Sequence, residues 1–116
     1  MTDRDKTYSV DELVELVREY GSSDDASERD DAMYLIYKMF MYKWKPYKEP
    51  IDEFISKMTQ DVPNLHITVC LCVLMATFLI KKMLDRRLAF YDAVEKKVNQ
   101  MYETEEERNQ ILCNLK

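Results

Sequence analysis

Asn64–Leu84, NLHITVCLCVLMATFLIKKML, is the stretch that decides the fold. It is apolar from Leu65 to Ile80 and stops at Lys81-Lys82. The segments around it are acidic, polar or amphipathic. A helix that is apolar all round is buried on every side or lies in a membrane. The 16 residues from Leu65 to Ile80 include His66, Thr68 and Thr77. A membrane span takes roughly 20 predominantly apolar residues. The segment therefore reads as a buried core helix with amphipathic helices wrapped around it. Any membrane anchor is expected outside these residues, beyond Lys116.

The length of 116 residues fits one domain. Hydrophobic residues make up 47% of the chain, enough for a core without staples, and charged residues make up 34%. One Gly and three Pro supply too little turn chemistry for a sheet protein. The expected class is all-α. Eight Met residues suit either core filling or an adaptable apolar binding surface.

Several function classes recede on composition. The net charge of −5 argues against nucleic acid, which calls for a basic patch. Lys38, Lys43, Lys45 and Lys48 do interleave with Tyr42, Trp44 and Tyr47, a pattern that can stack single strands. It reads more simply as a loop with packed aromatics and solvated lysines. Cys70 and Cys72 lie two apart in the apolar helix and point to different faces. With Cys113 the count is odd, which suits a reducing compartment. His66 is the sole histidine, and no metal-ligand spacing or nucleophile–base pair surrounds it. Asp24-Asp25 and Glu105 to Glu107 sit in solvated runs, where carboxylates are poor general acids or bases. No enzyme and no cofactor is expected.

Along the chain, Ser9-Val-Asp-Glu12 is a capping box for a first helix over about 10–20, stopped by Gly21. Residues 21–31 form a polar loop. A second helix runs from Ala26 or Asp30 to Trp44, with Met33, Ile36, Tyr37, Phe40 and Met41 at helical spacing. Lys45-Pro46 ends it. A third helix over about 50–60 opens on Pro50 and carries Ile51, Phe54, Ile55 and Met58. Val62-Pro63-Asn64 is a break, with Asn64 as N-cap of the apolar helix. A further helix covers about 86–102. Thr104-Glu-Glu-Glu107 reads as a second capping box, starting a short last helix with Ile111, Leu112 and Leu115.

The helix order, and above all SKMTQDVPNLHITVCLCVLMATFLIKKMLDRRLAFYDAVEKKV with its run VLMATFLIKKML, resembles the central region of poxvirus Bcl-2-like apoptosis inhibitors. Where cellular members carry Asn-Trp-Gly-Arg, this chain has Asn64-Leu65-His66-Ile67, and only the Asn matches. The resemblance implies a Bcl-2-like helical bundle of six or seven helices around a buried central hydrophobic helix. It also implies a viral inhibitor that sequesters pro-apoptotic Bcl-2 family proteins by holding their BH-3 helix in an apolar groove. Helix order then puts Ile36, Tyr37, Phe40, Phe54 and Met58 at the lips and Leu65, Thr68, Val69 and Cys72 on the floor. The implied location is the host cytoplasm, at the mitochondrial outer membrane. The hinge-like loop Gly21–Asp31 makes a homodimer, swapped through helix 1 or face to face, accessible beside a monomer. The alternative is another all-α interaction module of cyclin-box type, faintly echoed by Pro50-Ile-Asp-Glu-Phe-Ile.

Overall fold

A computed structural model describes residues 6–80 and 84–114. The capping box forms as the sequence demands. Ser9 Oγ accepts from the Glu12 amide at 3.2 Å, and Glu12 Oε1 accepts from the Ser9 amide at 3.1 Å. It starts α1 (Val10–Tyr20), which buries Leu13, Val14 and Val17. The Lys6 ammonium and then the Ser9 backbone N–H hold the Glu12 carboxyl down to about 2 from 4.5. A depressed carboxyl adds stability that is present above its unfolded value and lost as pH falls through its folded one. Glu12→Gln is therefore expected to flatten the acid limb of the stability curve between pH 4.5 and about 2, read by urea titration at stepped pH.

Gly21 closes α1, but not in the left-handed conformation that usually favours glycine there. Its φ is −72°. The requirement is space: a Cβ would stand 2.4 Å from the Val17 carbonyl oxygen and 3.2 Å from Leu65. The Gly21 carbonyl accepts from the His66 amide at 2.9 Å, which ties the end of α1 to the entry of the apolar helix.

Asp25 caps α2 (Ala26–Lys38) by accepting from the Ser27 amide at 2.9 Å. The helix continues as a π segment over Met39–Lys43, where the Trp44 amide reaches back to the Met39 carbonyl at 2.6 Å. Trp44 then packs against Phe40 and Phe54, at centroid distances of 5.9 and 5.8 Å. α3 (Lys48–Thr59) starts two residues ahead of Pro50. A 3-10 turn over Val62–Asn64 and an extended Leu65 precede α4 (Ile67–Ile80). Asn64 is thus not the N-cap; His66 Nδ1 lies 3.2 Å from the Thr68 amide and takes that place.

α5 (Leu84–Asn114) is a single helix of 31 residues, so no break separates a last short helix. Thr104 to Glu107 lies inside it. The reason is local: MYETEEERNQIL holds no Gly or Pro and is rich in strong helix formers, so a start signal without a stop signal does not interrupt it. The described residues thus form five α-helices rather than the expected six or seven.

The five helices pack as a ring: α1 on α2, α2 on α4, α4 on α5, α5 on α3 and α3 on α1. Their inward side chains form one core, including Leu13, Leu35, Phe40, Phe54, Val69 and Phe90. Membership of the ring corrects the picture of α4 as an enclosed axis. It shows Val69, Cys70, Val73, Leu74, Ala76 and Thr77 to the core, and leaves Leu71, Met75, Phe78 and Leu79 exposed. No helix among the described residues is long and apolar enough to cross a membrane.

Phe90 and Val94 of α5 are buried, and Lys97 closes the body. Its ammonium donates to the Val62 carbonyl at 2.8 Å, which also accepts from the Leu65 amide at 3.2 Å, and to the Leu65 carbonyl. Lys97→Met is expected to cost about 1–2 kcal/mol in chemical denaturation, because those part-buried carbonyls lose a charged donor. From Val98 on, no described side chain is buried. The radius of gyration is 15.9 Å, against about 13 Å for a compact domain of this length. The excess fits an α5 that runs beyond the body.

Candidate functional site

The outer face of α4 is the feature that calls for a function. Thr68, Leu71, Met75, Phe78 and Leu79 follow at i, i+3, i+7, i+10 and i+11, one stripe along one side of a helix. Leu71 is 49% exposed, Met75 62%, Phe78 41% and Leu79 63%. No charged side chain interrupts the stripe. Single exposed apolar residues are ordinary, but a contiguous row of large ones marks a surface that meets something else.

Two neighbours frame it. On the α2 side, the Cys72 thiol lies 3.8 Å from the Met33 carbonyl, and burial pushes that thiol up to about 11. Tyr37 stands one turn beyond Met33 on the same side of α2, with the Tyr42 ring edge-on at 6.0 Å. On the α5 side, Tyr91 meets Phe78 at 6.2 Å. The Arg87 guanidinium lies 5.2 Å above the Phe78 ring. Among the described residues, Arg87 Nε is buried without a hydrogen-bond partner. The result, among the described residues, is an uncharged floor with aromatic rims and the Arg87 cation at the α5 edge.

The nine residues expected to line a groove divide between two places. Ile36, Phe40, Phe54, Met58, Leu65 and Val69 are brought together, but as packed core, each 2% exposed or less. Phe40 and Phe54 meet edge to face at 5.4 Å. In the fold as it stands these six fill the bundle and line no open groove. Tyr37 and Thr68 are exposed and Cys72 is half-buried, all three on or beside the outer stripe. Sequence reasoning missed Leu71, Met75, Phe78, Leu79, Arg87 and Tyr91. A helix that is apolar all round carries no signal for which side faces out. For Arg87 and Tyr91 the signal was weak, since their role depends on how α5 lies against Phe78.

Other candidates carry less. Trp44 is buried, so the basic-aromatic stretch keeps only Tyr42 and Tyr47 as exposed rings. A depression of about 300 Å³ lined by Asp92, Glu95, Lys96 and Asn99 is polar and open on the outer side of α5. No cluster of His, Cys, Asp or Glu among the described residues can hold a metal ion. No protein-family model, curated protein or solved structure matches the chain.

Proposed function

We propose that this chain binds an amphipathic α-helix of a partner protein along the outer face of α4, in the manner of the Bcl-2-like apoptosis inhibitors it resembles. The uncharged stripe from Thr68 to Leu79 carries this reading. Its 11-residue rise is about 16 Å. That equals the reach of four ligand anchors spread over i to i+11. Leu71, Met75 and Leu79 supply adaptable apolar contact, and Met suits a surface that accepts varied side chains. Arg87 offers a cation at the rim for an acidic ligand residue, a place the Asn64-Leu65-His66-Ile67 segment leaves unfilled. The partners on this reading are the BH-3 helices of pro-apoptotic Bcl-2 family proteins. The site of action is the host cytoplasm at the mitochondrial outer membrane, and the outcome is inhibition of apoptosis.

Calorimetric titration with a panel of BH-3 peptides tests this. Binding is expected with Kd between nanomolar and low micromolar, about −8 to −12 kcal/mol. Truncating the ligand's central Leu is expected to weaken it as loss of a buried anchor does. Absence of heat and of competition across the whole panel would rule the reading out.

A further inference from the structure

Four helices of the ring share an end. Arg29 donates to the Ser23 carbonyl at 2.8 Å, and the His66 amide to the Gly21 carbonyl at 2.9 Å, so α2 and α4 start together. They pack on each other, with Cys72 at Met33, and run the same way. α5 returns antiparallel to α4, from Arg87 over Phe78 to Lys97 on the Val62 and Leu65 carbonyls. α3 stops just before Val62 and packs on the part of α5 that precedes Lys97, so it starts where α5 starts. The connection from the π segment to α3 therefore stands at the same end as Ile80 and Leu84. The sequence between those two is Lys81-Lys82-Met83.

This end is basic in an acidic protein. Residues 38–48 hold four lysines and no acidic residue. Taking those four from a net charge of −5 leaves −9 on the remainder. Glu49 and Asp52 follow at the start of α3, but the carboxylates collect at the far end. There stand Asp24, Asp25 and Asp61, with Glu103, Glu106 and Glu107 farther along α5. Trp44 fixes how the basic corner is presented. It packs inward on Phe40 and Phe54, and the Tyr47 amide donates to its carbonyl at 2.7 Å, closing a turn. With Trp44 turned in, Tyr42, Lys43, Lys45, Tyr47 and Lys48 are left exposed around it.

We propose that this end of the bundle rests on an anionic lipid surface, its lysines on the headgroups and the Tyr42 and Tyr47 rings in the interfacial layer. Lysines near a membrane gain from the negative surface potential. Tyrosine suits the boundary because one end of it is apolar and the other wet. The charge layout favours a flat surface over a nucleic-acid strand. A membrane meets only the end of the molecule and leaves the carboxylates pointing away, whereas a strand long enough to run on past the corner would meet them. The contact is peripheral and reversible, as a single membrane signal gives. It leaves the α4 stripe accessible from the side and does not rest on the helix-binding reading.

Flotation of the full chain with vesicles is the test. One set is phosphatidylcholine alone, the other equal parts phosphatidylcholine and phosphatidylserine. Binding is expected to the mixed vesicles only. It is expected to fall as salt rises from about 0.1 M to about 1 M and the screening length drops from about 10 to about 3 Å. Lys43→Gln with Lys48→Gln is expected to weaken it about twenty-five-fold, about fivefold for each lysine. Lys57→Gln with Lys96→Gln, which changes net charge equally but lies away from this end, is expected to change it less than about twofold. Tyr47→Ser is expected to weaken it at unchanged charge. The Lys43 and Lys48 double variant should keep its urea midpoint, since both side chains are exposed. Equal binding to both vesicle sets, no binding to either, or equal losses in the two double variants would each overturn the assignment. So would tighter binding to single-stranded oligothymidylate than to the mixed vesicles, which would give the corner to nucleic acid. BH-3 peptide titration of the Lys43 and Lys48 double variant without vesicles is expected to match the wild type, so failure of the lipid contact and failure of helix binding are read separately.

Discussion

Phe40→Ala is expected to destabilise the fold by about 3–5 kcal/mol, the cost of removing a large ring from a closed core. Phe40 is fully buried between Phe54 and Trp44. A domain of this kind holds about 5–15 kcal/mol in all. The variant should therefore have a much lower urea midpoint, with the slope unchanged. A loss below about 1 kcal/mol would mean that Phe40 is not core and stands at an open lip. The same measurement on Tyr37→Ala is expected to move stability little, since that ring is exposed.

Met75→Glu is expected to do the opposite. Met75 stands at the middle of the stripe and is 62% exposed. Exposed positions of this kind tolerate substitution within about 0.5 kcal/mol. A carboxylate there, however, would be buried unpaired under any helix lying on α4. Binding of an apolar-faced helix is expected to fall at least about a hundredfold, while the urea midpoint stays in place. Calorimetry and denaturation on one sample decide it. Unchanged binding would move the site off α4.

Local rules were legible where one residue type does one job. Ser9 and Glu12 announced the start of α1, and Lys45-Pro46 announced the end of the second helix to within a few residues. The core was legible where a helix has one apolar side, as with Leu13, Val14 and Val17, or Ile51, Phe54, Ile55 and Met58. It was not legible in α4, because a helix with no charged residue from Ile67 to Ile80 gives each face a nearly equal claim on the interior. Which face wins depends on the ring order of the other helices, a tertiary fact. The candidate groove failed to appear as an open feature for the same reason. Ile36, Phe40, Phe54 and Met58 are apolar for the core, and sequence alone does not separate a core residue from a groove residue. The end of α5 was misread because a capping pattern marks where a helix can begin, while Gly or Pro is what makes one stop. None stands between Leu84 and Asn114. The π segment had no sequence signal that we can identify.

The long α5 also changes how the molecule moves through water. Its extents are 56 × 34 × 20 Å, far from a sphere. Such a particle drags more solvent than its mass requires and tumbles at different rates about its long and short axes. A single copy will leave a gel-filtration column early, at the volume of a heavier globular standard. Its amide relaxation rates will depend on direction, with the N–H vectors of α5 aligned along the slow axis. Elution volume alone therefore overcounts copies of this chain, whereas light scattering or sedimentation equilibrium, which weigh the particle, do not.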